Sequence, residues 1–174
     1  MAQVRIRPAV AEDAESIARL HHAIWLETYR DIAPPQAVAA LGLDERIGRW
    51  RRMLADDAPT FVAIAADQIV GFARCGAASD ALFEGRGEVK FLFVAPEFGR
   101  QGLGRRLMAR MADELQSRGY SGIGLGVVEA NTPAVAFYKS LGGVAAARYL
   151  DPGPLWRSQN LLMVWDDLGP LLIA

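Results

Sequence analysis

Two rhythms of apolar residues, one of every second position and one of every third or fourth, follow each other along the chain and lay out its elements. Val4 and Ile6 alternate with Arg5 and Arg7 ahead of Pro8, which predicts a short first strand. Glu12, Asp13 and Glu15 then put negative charge where a helix would start, and Ile17, Leu20 and Ile24 share one face of that helix, extended by Trp25 and Thr28. Pro34-Pro35 is a stop signal. Ile47, Trp50 and Leu54 predict a second helix with Asp44 as its N-cap. Residues 61–66 and 69–75 are β-prone runs parted by Asp67 and Gln68, the pattern of a hairpin, and residues 76–87 read as a surface loop. Val89, Phe91 and Phe93 alternate with Lys90, Leu92 and Val94 in a strand buried on at least one face, which Pro96 ends. Leu103, Leu107, Met111 and Leu115 recur at helical spacing up to Gly119, a C-cap residue. In residues 122–128, Ile123, Leu125 and Val127 alternate with Gly124 and Gly126, so one face is bare and suits the close approach of another backbone or a ligand. Thr132-Pro133 starts a short helix that Gly142-Gly143 ends, and residues 144–149 and 161–165 are predicted strands around a Pro/Gly loop at 151–154.

Composition narrows the picture. With 174 residues, 52% of them hydrophobic, the chain is expected to form a single domain over 1–174 with a core of its own. A formal charge of −1 gives no electrostatic footprint for nucleic acid. Arg46, Arg49, Arg51 and Arg52 cluster, yet they share their helix region with Asp44, Glu45, Asp56 and Asp57 and read as a solvated face. Cys75 is the only cysteine, which excludes an intrachain disulfide and a cysteine-based zinc cluster; it reads as a small buried hydrophobe, and no metal site is expected. His21 and His22 have no partner legible in sequence and are expected on a helix surface. The N-terminus lacks a signal-peptide apolar region and residues 168–174 are too short to span a bilayer, so a cytoplasmic protein without a membrane partner is expected.

The chemistry centres on the turn between the strand ending at Val94 and the helix starting near Leu103. Gly99, Arg100, Gln101, Gly102, Leu103 and Gly104 put glycines at a helix N-terminus, where the first N–H groups lack intrahelical partners and the macrodipole favours an anion. Gly102 and Gly104 leave the backbone accessible to a diphosphate, and Arg100, Arg105 and Arg106 surround it. A P-loop needs Gly-Lys-Ser/Thr, which does not follow here; a dinucleotide fingerprint needs a third glycine at position 107, where Leu107 stands. A glycine-rich αL turn joining strand to helix is the purely structural alternative.

Strand, G-x-G and helix together resemble the acetyl-CoA-binding motif Q/R-x-x-G-x-G/A of the GNAT superfamily of N-acetyltransferases, with Gly99 at the position where the motif carries Gln or Arg. Residues 131–142, N-T-P-A-V-A-F-Y-K-S-L-G, resemble the family's second CoA-side motif. The resemblance implies an α/β fold, a GNAT-like mixed, mainly antiparallel splayed sheet flanked by helices. It implies acetyl-CoA as co-substrate, with pantetheine pairing along Leu92, Phe93 and Val94 and pyrophosphate on the amides of Arg100, Gln101, Gly102, Leu103, Gly104 and Arg105. Asn131 would orient the cofactor or cap its helix. The implied reaction is direct acetyl transfer to a primary amine in a ternary complex. Tyr138 resembles the family's acid for the departing thiolate, and a main-chain N–H near Leu92 to Val94 would hold the thioester oxygen. Glu88, fourteen residues before Gly102, is the leading general base, with Glu84, Glu129 and Glu27 as rivals. Trp25 and Tyr29, and also Trp50, are candidates for the acceptor wall. The acceptor is a small-molecule or peptide amine, and a homodimer is common in the family. A non-catalytic acyl-CoA-binding sensor or interaction domain is the alternative.

Overall fold

The computed structural model describes residues 3–40, 42–153 and 155–173; Pro154 of the loop at 151–154 and Ala174 of the terminal stretch lie outside the described residues. The strands are β1 (Arg5–Pro8), β2 (Thr60–Ala65), β3 (Gln68–Gly76), β4 (Gly87–Val94), β5 (Ile123–Val128), β6 (Val144–Asp151) and β7 (Ser158–Trp165). The helices are α1 (Ala14–Tyr29), α2 (Pro35–Ala40), α3 (Leu43–Leu54), α4 (Leu103–Ser117), α5 (Thr132–Ser140) and α6 (Gly169–Leu172). All the strands join one sheet in the order β1-β2-β3-β4-β5-β7-β6. Every neighbouring pair is antiparallel except β4 and β5.

That parallel pair shapes the molecule. β4 and β5 are in register only at Gly87 with Ile123 and Glu88 with Gly124, after which they diverge. From there to Val94 the edge of β4 that faces β5 has no strand on it among the described residues, the splay implied by the family resemblance. A buried strand edge with unpaired N–H and C=O groups calls for a partner.

One core lies under α4, where Leu103, Leu107, Met111 and Leu115 are all buried at the spacing expected. A second lies under α1 and α3, where Ile17, Ala18, Ile47 and Trp50 meet Val62 and Phe72. The simple alternation predicted for β4 breaks at Lys90. Arg74 pairs with Phe91 but Cys75 with Val89, so Lys90 is an extra, bulged residue. Side-chain parity flips there: Val89 joins the α4 core, while Phe91 and Phe93 turn to the α1 side.

Other expectations shift as well. Pro34-Pro35 ends nothing for long, because Pro35 occupies the first position of α2, where its missing N–H costs nothing. The N-cap of α3 is Gly42, and Asp44 lies inside the helix. The bare face of β5 divides: a Cβ at Gly124 would stand 2.9 Å from Phe83, whereas Gly126 stays exposed beside the Tyr149 hydroxyl, which a Cβ there would run into. Cys75 is fully buried and burial pushes its thiol up to about 12, as a core hydrophobe requires. Among the described residues no helix is long and apolar enough to cross a membrane, and no cluster of three or more metal-binding side chains forms.

Candidate active site

The splay between β4 and β5 opens into a cavity of about 400 Å³. Leu92, Phe93 and Val94 form one wall, Leu125 and Val127 another, and Tyr138 and Asn131 come in from α5 and its N-cap. Trp25 and Tyr29 close it from α1. Seven of the candidate site residues are therefore brought together, from three elements far apart in the chain.

Beyond Val94, a 3-10 turn at Pro96–Phe98 leads to Arg100 and Gly102, both in the left-handed region at φ of 55° and 78°. Glycine adopts this conformation without strain, and a Cβ at Gly102 would meet open space, so this glycine serves the turn. Gly104 serves packing as well as access, because a Cβ there would stand 3.0 Å from Phe137 Cζ on α5. The first backbone hydrogen bond running back from α4 is donated by Arg106 to the Gly102 carbonyl. The amides of Leu103, Gly104 and Arg105 have no acceptor among the described residues, which leaves an anion site at the start of a long helix. The arginines divide. Arg105 and Arg106 reach back to the carbonyls of Ile173, at 3.5 Å, and Val4, at 2.9 Å. Gln101 folds onto the Glu97 carbonyl. Arg100 is exposed and makes no hydrogen bond to a described residue.

Tyr138 is half-buried against Trp165, and burial, reinforced by Tyr29, pushes its phenol above the usual value near 10. It is therefore a neutral hydroxyl, a donor, across the working pH range. Tyr29 is raised by burial too, against an opposing hydrogen bond with Asn131. Asn131 caps α5, its Oδ1 accepting from the Ala134 amide at 3.3 Å.

Glu88 is not in this cavity. It sits at the closed end of the splay, where its Oε2 accepts from the Ser79 amide, the Ser79 hydroxyl and Lys90 Nζ, each at 2.8 Å. The register that still pairs β4 with β5 at Glu88 is what keeps it out. The rivals fare no better: Glu84 pairs with Arg86, Glu129 with Arg148, and Glu27 is exposed. Trp50 is a core residue, fully buried, rather than a wall of the pocket.

Two residues went unseen. His21, expected on a surface, is 5% exposed and stands among Trp50, Phe72, Phe91 and Phe93. The Trp50 indole donates to its Nδ1 at 3.1 Å, so the ring proton is on Nε2, and burial holds its pKa down to about 2. Arg46, expected on a solvated face, is 2% exposed and lines a second cavity of about 260 Å³ beside the first. Spacing held a signal for both: His21 falls four residues after Ile17 on the apolar face of α1, and Arg46 four before Trp50 on that of α3. Asp151, at the end of β6, also lines this second cavity, and is the one carboxylate among the described residues that lines either of the two.

Comparison with known proteins agrees with this geometry. Residues 14–142 match the model of the Acetyltransferase (GNAT) family. The chain is 31% identical to the N-acetyltransferase YuaI of Bacillus subtilis over 97% of its own length and 96% of that protein. The fold is shared with the yncA structure from Salmonella typhimurium, solved with its cofactor acetyl-CoA, at a TM-score of 0.70, 23% identity and coverage of 94% of both chains. It is shared too with the PaiA N-acetyltransferase of Thermoplasma acidophilum in complex with coenzyme A, at a TM-score of 0.69, 17% identity and coverage of 93% of this chain and 98% of that one.

Proposed function

Given that the chain belongs to the GNAT family of acetyltransferases, we propose that it transfers the acetyl group of acetyl-CoA directly to a primary amine, in a ternary complex built in the splay as a single domain. The observation that carries this reading is the open edge of β4 facing Tyr138 across the cavity. Acetyl-CoA supplies an activated acyl group as a thioester. The free edge at Leu92, Phe93 and Val94 offers main-chain groups for the pantetheine amides, and the unpaired amides at the start of α4, with Arg100 nearby, suit the pyrophosphate.

The residues then divide the work. A main-chain N–H of β4 near Leu92 holds the thioester oxygen as negative charge develops on it. Tyr138 donates to the sulfur as it leaves; its raised pKa does not disqualify it, because the burial that raises the phenol also makes the thiolate a stronger base. Direct transfer is favoured over a covalent relay on cysteine by the position of Cys75, buried in the α4 core away from both cavities. The acceptor amine, mostly protonated in water at neutral pH, must lose a proton. We assign that proton to Asp151, by way of water, in place of Glu88.

The test is thermal unfolding with and without acetyl-CoA, followed by turnover. At about 100 times its dissociation constant the ligand adds about 2.7 kcal/mol and raises the midpoint by several degrees. Arg100→Glu, an exposed change without a folding cost, should lose most of that rise. Tyr138→Phe should keep the rise and lose about 100-fold in kcat. No rise in the wild type would overturn the reading; a rise without turnover of any amine would favour an acyl-CoA sensor.

A further inference from the structure

Two arginines are buried among the described residues, and the fold treats them differently. Arg74, 3% exposed, is saturated: it pairs with both oxygens of Asp56 and donates to Thr60 Oγ1 and to the carbonyls of Met53 and Ala58. Arg46, 2% exposed, has none of this. Its Nε meets no acceptor among the described residues. It takes part in no ion pair among the described residues. Its guanidinium instead rests over the ring of Trp25, 5.8 Å from the centroid, and lines the 260 Å³ cavity with Arg49 at its rim. A guanidinium withdrawn from water and left unpaired is costly, so a chain that keeps one facing a cavity is arranged for an anion that arrives from outside.

The cavity's place identifies that anion's carrier. His21, Trp25, Tyr29, Phe91 and Gly126 line both this cavity and the splay, so the two are joined across a single wall. Trp25 and Tyr29 of that wall and Trp156 of the second cavity stand with ring centroids 5.3–5.8 Å apart, and aromatic faces attract an ammonium group. Asp151 adds a negative charge on the same cavity. Two arginines against one aspartate suit a single negative charge better than a phosphate dianion, and the small volume suits a small molecule.

We propose that the acceptor carries a carboxylate, that Arg46 with Arg49 is the subsite that binds it, and that the substrate is a free amino acid or a close relative of one. The inference rests on the acetyltransferase reading above. It places the carboxylate on α3 and directs the amine across the shared wall towards β4 and Tyr138. Cationic acceptors such as polyamines are excluded by the same guanidinium.

The experiment uses the full chain with saturating acetyl-CoA and follows CoA release. The acceptors are glycine, L-alanine, L-methionine, L-glutamate and L-phenylalanine, each beside its amide, with spermidine and O-phosphoethanolamine as controls. At least one amino acid should be preferred over its amide by about 100-fold or more in kcat/KM, as expected for a site whose buried charge the amide leaves unpaired. Arg46→Lys should raise KM for that acceptor about tenfold or more with kcat changed less than about threefold, and should narrow the preference over the amide. Arg49→Gln, at an exposed position, gives the same sign with a smaller effect and keeps the test open if Arg46→Lys does not fold. Amides, spermidine or O-phosphoethanolamine used as well as the amino acids would overturn the proposal, as would a wild type that binds acetyl-CoA yet acetylates none of the panel. If acetyl-CoA itself fails to raise the unfolding midpoint, it is the acetyltransferase reading that falls first.

Discussion

His21 illustrates how much a single buried side chain can decide. Its Nδ1 accepts from Trp50, its ring fills the space between the two cavities, and burial keeps it neutral. Unfolding returns it to water and to an ordinary pKa near 6.5, so below that pH the unfolded chain binds a proton that the folded chain refuses. The sign follows: stability is full above about pH 6.5 and falls as the pH drops. The window from 6.5 to 4.5 lies above the titration of the carboxylates held by Arg7 and Arg74, and across it the loss from this residue should reach about 2 kcal/mol. Urea unfolding at pH 7 and 5, for the wild type and His21→Gln, measures it. The variant should be less stable at pH 7 but lose clearly less on acidification, and equal pH slopes would refute the assignment. The same residue marks what a sequence conceals: its spacing put it on the apolar face of α1, yet histidine is common on surfaces and only the fold brings Trp50 to it.

Among the elements, the hairpin of β2 and β3 is held by a two-residue turn at Ala66 and Asp67, with φ of 46° and 62°. Both central residues of such a turn need positive φ, which Asn-Gly accepts readily and alanine does not. Replacing Ala66 by Asn and Asp67 by Gly should add about 1 kcal/mol and raise the unfolding midpoint by about 2–4 °C, with acetyl-CoA affinity unchanged; a lower midpoint would show that the turn is not strained. The hairpin itself was legible in sequence, though its turn was expected one residue later. Elements defined by their own periodicity, such as α4 and α5, were legible too, because local spacing alone specifies which face they bury. The bulge at Lys90 was not, since an extra residue in a strand leaves no mark until the partner's register is known. Nor was the packing of Phe83 on Gly124 and of Tyr149 beside Gly126, or the division of the arginines around α4, because those contacts join residues distant in the chain. The residues along β4 and α5 that line the splay were legible from two motifs; of the second cavity only Trp25 and Tyr29 were, because α1, α3 and the β6–β7 connection meet only in the folded molecule.

At the scale of the whole molecule, the splay sorts the carboxylates by where the sheet is closed and where it is open. Glu88 stands on the closed side, consumed by Ser79 and Lys90, while Asp151 reaches the second cavity from the far edge strand, β6. A base must lie within one water of the proton it removes, so position ranks Asp151 above Glu88 before any pKa is considered. Asp151 is also held in place, accepting from the Gly153 amide at 2.8 Å and from Asn160 at 3.2 Å. Asp151→Asn should therefore lower kcat/KM about 100-fold at pH 7, and the deficit should shrink as the pH approaches that of the free amine, because solvent then supplies the neutral nucleophile. A purely structural loss would persist at every pH, and an unfolding midpoint close to wild type separates the two. Glu88→Gln should stay within about threefold of wild type throughout. If the two variants behaved the other way round, the acceptor would have to enter from the closed end of the splay, and the assignment of the second cavity to the acceptor would fall with Asp151.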